Sequence, residues 1–302
     1  MAVTSLVAEQ VDWETPVQIG LWTDAWMRFR RNRLAVSSLV FILLLIAAAV
    51  TAPILQRIGI LQDPTAQQVL DTYLGPGSSH HLLGTDDLGR DVLSKVVFGS
   101  QVSLSIGILV QAIVLLIGGT IGLISGYFGG WIDNALMRFT DIMYAFPDLL
   151  FVLIIVAALG PTLINIFVAI GLVSWVGLAR LVRGQVLSIK QKEYVEAANA
   201  AGSPPLKIIL KHLLPNSLGP VIVSLTFGIP AAIFTEAVLD FLGVGLRPPQ
   251  PTWGVMVFEG YAAVDAYPYL VIIPCAALSL TMLAFNFIGD GLRDALDPRM
   301  RR

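Results

Sequence analysis

"LAVSSLVFILLLIAAAVTAPIL", residues 34–55, contains no charged side chain from Leu34 to Leu55. The roughly 30 Å hydrocarbon core of a bilayer is crossed by about 20 apolar residues in a helix, and this stretch meets that length. Lipid offers no water to backbone N–H and C=O groups, so such a stretch must satisfy its own hydrogen bonds and is therefore expected to be helical. The rest of the chain repeats the pattern. Of 302 residues, 56% are hydrophobic and 13% charged, with a mean hydropathy of +0.77, more apolar than a soluble core requires. Further apolar stretches run from about Ser100 to Ile124, Asp141 to Leu159, Thr162 to Ala179, Pro215 to about Asp240, and Tyr269 to Ile288. The expected fold class is an all-α integral membrane protein with six transmembrane helices.

The end of the first stretch, "AAAVTAP", raises the question of a cleaved leader. Its apolar core exceeds the ~7–15 residues of a signal peptide. The segment before it is long and carries Asp12, Glu14 and Asp24, so an uncleaved anchor is expected. The single cysteine, Cys275, lies in an apolar run and reads as a packing residue. A net charge of −2 excludes the basic excess that a nucleic-acid partner demands.

The distribution of basic residues sets an orientation. Arg28, Arg30, Arg31, Arg33, Arg138, Arg180, Arg183, Lys190, Lys192, Lys207, Lys211, Arg293, Arg299, Arg301 and Arg302 fall on one side of the expected spans. Arg57, Arg90, Lys95 and Arg247 fall on the other. The rule places both termini in the cytoplasm, and an even number of crossings requires the same. The expected organisation is a cytoplasmic segment over 1–33, an anchor helix over 34–55, an extracytoplasmic loop over 56–99, a transmembrane core over 100–290 containing a cytoplasmic loop at 180–215, and a cytoplasmic tail over 291–302.

Within that loop, "EYVEAANAAG" (Glu193 to Gly202) reads as a short helix. Tyr194, Ala197, Ala198 and Ala201 follow i, i+3, i+4, i+7 spacing, which puts small side chains and one aromatic on a face. Gly202 is expected to end the helix, Ser203 to cap the next one with Pro204 at its first position, and Pro215 to stop that helix before the fifth span. A face of alanines lets another backbone approach closely. Equally, alanine is the best helix former, and the knob could pack only on its own membrane domain.

A phosphate-binding loop requires Gly-Lys followed by Ser or Thr, and none of Lys95, Lys190, Lys192, Lys207 and Lys211 follows a glycine. The chain is therefore not the source of ATP hydrolysis. It must borrow an ATPase or use an ion gradient. A gradient-driven carrier buries ionisable relays in its spans, and here only Glu236 and Asp240, near the outer end of the fifth span, qualify as relays, interfacial residues or gate supports. An intramembrane enzyme would need a nucleophile with a base or clustered metal ligands, whereas His80, His81 and His212 all fall in loops. "GTDDLGRD", at 84–91, lacks calcium-loop spacing and reads as a helix start or a contact for a binding protein.

Glu196-Ala197-Ala198, followed by Gly202 and Leu214-Pro215, resembles the EAA loop of ATP-binding-cassette importer permeases, whose short helix docks in a cleft of the cytoplasmic ATPase. The likeness runs from about Trp22 to Arg302 and is closest to the C-type permease of bacterial oligopeptide and dipeptide importers. "HLLGTDDLGRDVLSKVVFGSQVSL", "GYFGGWIDNALMRFTDIMYAFPDLL", "FVAIGLVSWVGLARLVRGQ" and "FNFIGDGLRDALDP" also carry it. His212 stands where the general pattern has an aliphatic residue, as in the peptide-importer branch.

The resemblance implies a permease in the bacterial inner membrane without catalytic residues, cofactor or metal. Its partners would be a homologous second permease, two cytoplasmic ATP-binding subunits, an extracytoplasmic substrate-binding protein and the lipid bilayer, with no nucleic acid. Coupling to the ATPase would fall on Tyr194, Glu196, Ala197, Ala198, Ala201, Gly202, Leu214 and Pro215. The cargo would be oligopeptides or dipeptides, with nickel or another small solute as the alternative within the family. The polar positions Gln111, Asn165, Ser224, Thr226, Glu236, Asp240 and Asn286 are either path contacts or helix-to-helix hydrogen bonds.

Overall fold

The computed structural model describes residues 20–78 and 80–297. The expected segment before residue 20 and the tail beyond 297, with Arg299, Arg301 and Arg302, lie outside the described residues. The described chain is all-helical. An amphipathic α1 (Leu21–Phe29) leads into α2 (Arg33–Arg57), whose N-terminus is capped by the Asn32 side chain accepting from Ala35 N. Next come α3 (Val92–Phe128), α4 (Gly130–Ala145), α5 (Asp148–Leu159), α6 (Leu163–Lys190), α7 (Glu193–Ala200), α8 (Pro205–Phe241), α9 (Trp253–Tyr261) and α10 (Tyr269–Leu296).

Among the described residues five helices, α2, α3, α6, α8 and α10, are long and apolar enough to cross a membrane. The third expected span is not one straight helix. Residues 141–145 finish α4, 148–159 form α5, and the two helices meet at 84°. The cause is Pro147: its ring disfavours helical geometry for the preceding residue, and Phe146 is extended at φ −85°, ψ 136°. With 12 residues, α5 rises about 18 Å, short of the hydrocarbon core. Only the bent pair counted as one span brings the number to six.

Two long helices contain a widened turn of π type, at Leu115–Gly119 in α3 and Ile209–Leu213 in α8. The second explains why Pro215 does not stop its helix. Proline lacks an N–H and crowds the carbonyl four residues back, and the looser turn just before it absorbs both effects. The cap of this helix also sits one residue later than expected, with Pro204 at the N-cap and Pro205 at the first helical position.

The helices pack around two apolar clusters. One joins Val110, Val152, Val156, Ile166, Val173 and Leu239 from α3, α5, α6 and α8 and extends to Val195 of α7. The other joins Phe29, Ala35 and Ile42 to Trp253, Phe285 and Ile288. Against α6, α3 presents Gly118, Gly122 and Gly126. A Cβ on Gly122 would lie 2.6 Å from Ala179 O, and one on Gly118 2.6 Å from Trp175 O. This one-per-turn glycine row brings two backbones together without a hydrophobic driving force between helices.

The segment between α2 and α3 ends in the "GTDDLGRD" stretch, which is a helix start. Asp91 caps α3, accepting from Ser94 N at 2.8 Å, and also contacts His81 Nδ1 at 3.0 Å. Asp86, buried beside it, accepts from Arg90 Nε and Lys95 Nζ, both at 2.7 Å. The same two cations reach Glu259 of α9 at 2.9 and 2.6 Å. Burial opposes ionisation of Asp86, but the Lys95 ammonium and Arg90 outweigh it and hold its carboxyl below the ordinary value.

Candidate functional site

α7 is anchored by one side chain. Val195 is completely buried in the first cluster and Ala198 is half-buried beside it, so Ala198 belongs to the inward edge of the helix. Tyr194, Glu196, Ala197 and Ala201 are exposed. The expected small face therefore exists but consists of Tyr194, Ala197 and Ala201. Gly202, at φ +73°, ends it in a Schellman arrangement: its N–H donates to Asn199 O at 2.9 Å and that of Ser203 to Ala198 O at 3.1 Å. The Tyr194 and His212 rings lie 5.9 Å apart, linking α7 to the π turn of α8. Leu214 is half-buried and Pro215 exposed on the next turn.

The knob formed by α7 and the first turns of α8 joins the C-terminus of α6 to the body of α8 without further connecting structure. Ionic contacts brace its approach. Arg183 donates to both carboxylate oxygens of Asp133 on α4, at 2.6 and 2.5 Å, and Ser125 Oγ donates to the same group. Lys190 Nζ donates to Tyr127 O at 2.6 Å. Nearby, Arg180 pairs with Asp141 at 2.8 Å and stacks over Tyr144 at 4.5 Å, so the bend between α4 and α5 is held to α6 as well.

A cavity of about 440 Å³ opens among α3, α5, α6 and α8. Its lining is mostly apolar, with Gln111, Ser174, Ser224 and Thr235 as dispersed polar contacts and Asp148 at the start of α5. Gly177 and Gly228 keep it open, and a Cβ on Gly228 would meet Gln111 Oε1 at 2.2 Å.

Of the expected path residues, Gln111 and Ser224 line this cavity. The others do not. Asn165 donates through Nδ2 to Leu159 O and Gly160 O, at 2.8 and 3.0 Å, and so ties the α5–α6 turn. Thr226 donates back to Ile222 O within its own helix, and Asn286 sits on α10 away from the lining. Glu236 is fully buried and accepts from Ser103 Oγ of α3 at 3.3 Å. Asp240 accepts from Leu246 N at 2.6 Å and from Thr252 Oγ1, which itself caps α9. These two carboxyls tie α8 to α3 and α9 and do not line the cavity.

Sequence reasoning missed Ser174, Thr235 and the glycine row at 118, 122 and 126. The four-residue spacing of that row was the signal available for it. The inward turn of Ser174 and Thr235 had none, because hydropathy does not report which face of a buried span points at a void.

The fold defines an integral-membrane protein in which a short helix outside the spans is joined to helices lining a cavity. The chain belongs to the family described as binding-protein-dependent transport system inner membrane component, whose model matches residues 118–302. A second model, the N-terminal TM domain of oligopeptide transport permease C, matches residues 20–76. The chain is similar to the oligopeptide transport system permease protein OppC of Bacillus subtilis (strain 168), 41% identical over 284 residues, 94% of this chain and 92% of the relative. It is also similar to the dipeptide transport system permease protein DppC of the same organism, 43% identical over 280 residues, 92% of this chain and 86% of the relative. A solved structure of the MetNI methionine ABC transporter in inward-facing form has a chain with a similar fold, at TM-score 0.52 and 20% identity over 68% of this chain and 97% of that one. The protein is thus a multi-pass permease subunit of the ABC-importer class, itself non-catalytic, which functions with ATPase and binding-protein partners.

Proposed function

We propose that this chain is one half of an inner-membrane path for oligopeptides or dipeptides. A homologous permease supplies the other half, an extracytoplasmic binding protein delivers the substrate, and two ATP-binding subunits engage the knobs in the cytoplasm. The observation that carries this reading is the connectivity of α7. The helix sits between α6 and α8, the two helices that contribute most of the cavity wall. Closure of an ATPase around Tyr194, Ala197 and Ala201 would move α7 as a rigid body, because Val195 keys it into the core, and α6 and α8 would move with it. The cavity would then alternate in access, a two-state change driven by differential contact in the two states.

Peptides vary in side chain and share a polar backbone. A path for them is served by an apolar wall with dispersed amide and hydroxyl groups such as Gln111, Ser174, Ser224 and Thr235. A borderline metal prefers imidazole or thiolate ligands, which these groups are not. The peptide names carried by the OppC and DppC relatives support the same cargo class. The test is uptake of labelled short peptides and of nickel, measured side by side in vesicles containing the whole complex and its receptor. ATP-dependent peptide accumulation is expected. ATP-driven nickel accumulation without peptide transport at any length would overturn the peptide assignment and leave the permease role intact.

A further inference from the structure

α1 is too short to span and is not enclosed. Ala25 and Phe29 are buried against α10, where a Cβ on Gly291 would lie 3.1 Å from the Phe29 ring. At 3.6 residues per turn, Trp22 and Trp26 fall on the flank of that buried strip, and the ion pair of Asp24 with Arg28, 2.9 Å, falls on the opposite flank. Both tryptophans are more than half exposed, and Met27 and Leu34 are exposed as well. The level of α1 is set by its neighbour: the part of α10 it packs on is where that helix turns from apolar residues to the exposed Asp290, Arg293 and Asp294. Such a change from apolar to charged exposed residues marks the interfacial level of a spanning helix. Immediately after α1 come Arg30, Arg31 and Arg33, all exposed and without an ion-pair partner among the described residues, with the Arg30 guanidinium 6.0 Å from the Trp26 ring.

We propose that the turn from α1 into α2 is a binding site for an anionic phospholipid. Its headgroup phosphate is held by Arg30, Arg31 and Arg33, and its glycerol and upper acyl chain lie on Trp22 and Trp26. The assignment follows from charge complementarity together with depth. Indole rings partition to the interface, and the arginines that follow Trp26 in sequence, with the Arg30 guanidinium 6.0 Å from its ring, suit a surface that anionic lipid makes negative. A soluble protein partner would leave Trp22 and Trp26 facing lipid without need. By seating α1, the lipid also seats Phe29 against α10 at Gly291 and so fixes the start of α2.

The test uses the purified full chain in neutral detergent, exposed to phosphatidylglycerol or phosphatidylcholine, with bound lipid counted by native mass spectrometry. The wild type should retain phosphatidylglycerol preferentially. The R30Q/R31Q/R33Q variant should lose the preference and bind both lipids alike, while the charge-keeping R30K/R31K/R33K variant should keep most of it. W22A/W26A should weaken retention of both lipids. The proposal is overturned if the wild type shows no preference, if the glutamine variant keeps it, or if glutamine and lysine variants lose it equally. Displacement of phosphatidylglycerol by soluble glycerol phosphate at matched concentration would also overturn it, by showing an anion site indifferent to lipid.

Discussion

Lys95 touches no part of the cavity, yet its removal should be costly. It is buried at the start of α3 and neutralises Asp86 and Glu259 together. Lys95→Met would leave Asp86 buried with Arg90 as its remaining cation, and breaking a buried pair on one side costs about 3–5 kcal/mol. A lowered thermal midpoint of the detergent-solubilised chain checks this. The acid response has a definite sign. Asp86 is held below its ordinary value of 3.8 in the folded chain, so its contribution is present above that value and lost as pH falls through the folded value. Wild-type stability should therefore fall below about pH 4 on this account, and Lys95→Met should flatten that part of the profile. At the other end of the molecule, Gly202 works by conformation alone: at φ +73° it has open space around its Cβ position, so a larger residue there meets backbone strain and not a clash.

For the elements, the two surfaces that matter are the outward face of α7, proposed to dock a partner, and the packing of α3 on α6. Ala197→Trp places a large ring on the outward face of α7 while Val195 still anchors the helix. The permease should insert normally but bind its ATPase subunits at least about tenfold more weakly, a change of roughly 1.4 kcal/mol. Unaltered ATPase co-purification and transport would remove the docking role. Gly122→Ala drives a methyl group to within 2.6 Å of the Ala179 carbonyl and 2.7 Å of Val182 Cβ, so α3 and α6 must separate. A loss of about 1–3 kcal/mol is expected from overpacking. Gly184→Ala, on α6 with nothing within 4 Å of the added atom, is the matched control. It should be neutral or slightly stabilising, since alanine is the better helix former by about 1 kcal/mol.

For the whole molecule, the bend at Phe146–Pro147 decides topology. Five spans would leave the termini on opposite sides, and six return them to one. In a Cys275→Ser background, a cysteine at Ser78 should react with an impermeant thiol reagent in intact cells, and one at Ser203 should not. Reaction at both would mean that Ser78 and Ser203 share a side, which overturns the six-span count, whereas the reverse labelling would overturn the expected orientation. The same bend gives the molecule its working geometry: α5 is too short to seal the membrane alone and instead contributes Asp148, Leu149 and Val152 to the cavity wall.

Composition and periodicity determined that this chain is a helical membrane protein, and the small-residue loop ending at Gly202 pointed to the knob, because lipid forces backbone satisfaction within each apolar run and glycine alone takes φ +73° freely. The helix that Pro147 breaks and the one that Pro215 does not break were indistinguishable in one dimension. Pro53, Pro220, Pro230 and Pro274 also lie inside unbroken helices, so proline by itself does not decide the outcome. The same holds for the polar residues of the spans. Gln111 and Ser224 face a void, while Asn165, Thr226, Glu236 and Asp240 close hydrogen bonds between or within elements. Gln111 and Asn165 share an amide, and Ser224 and Thr226 a hydroxyl, so only the packing of the helices around them determines which of each pair faces the void.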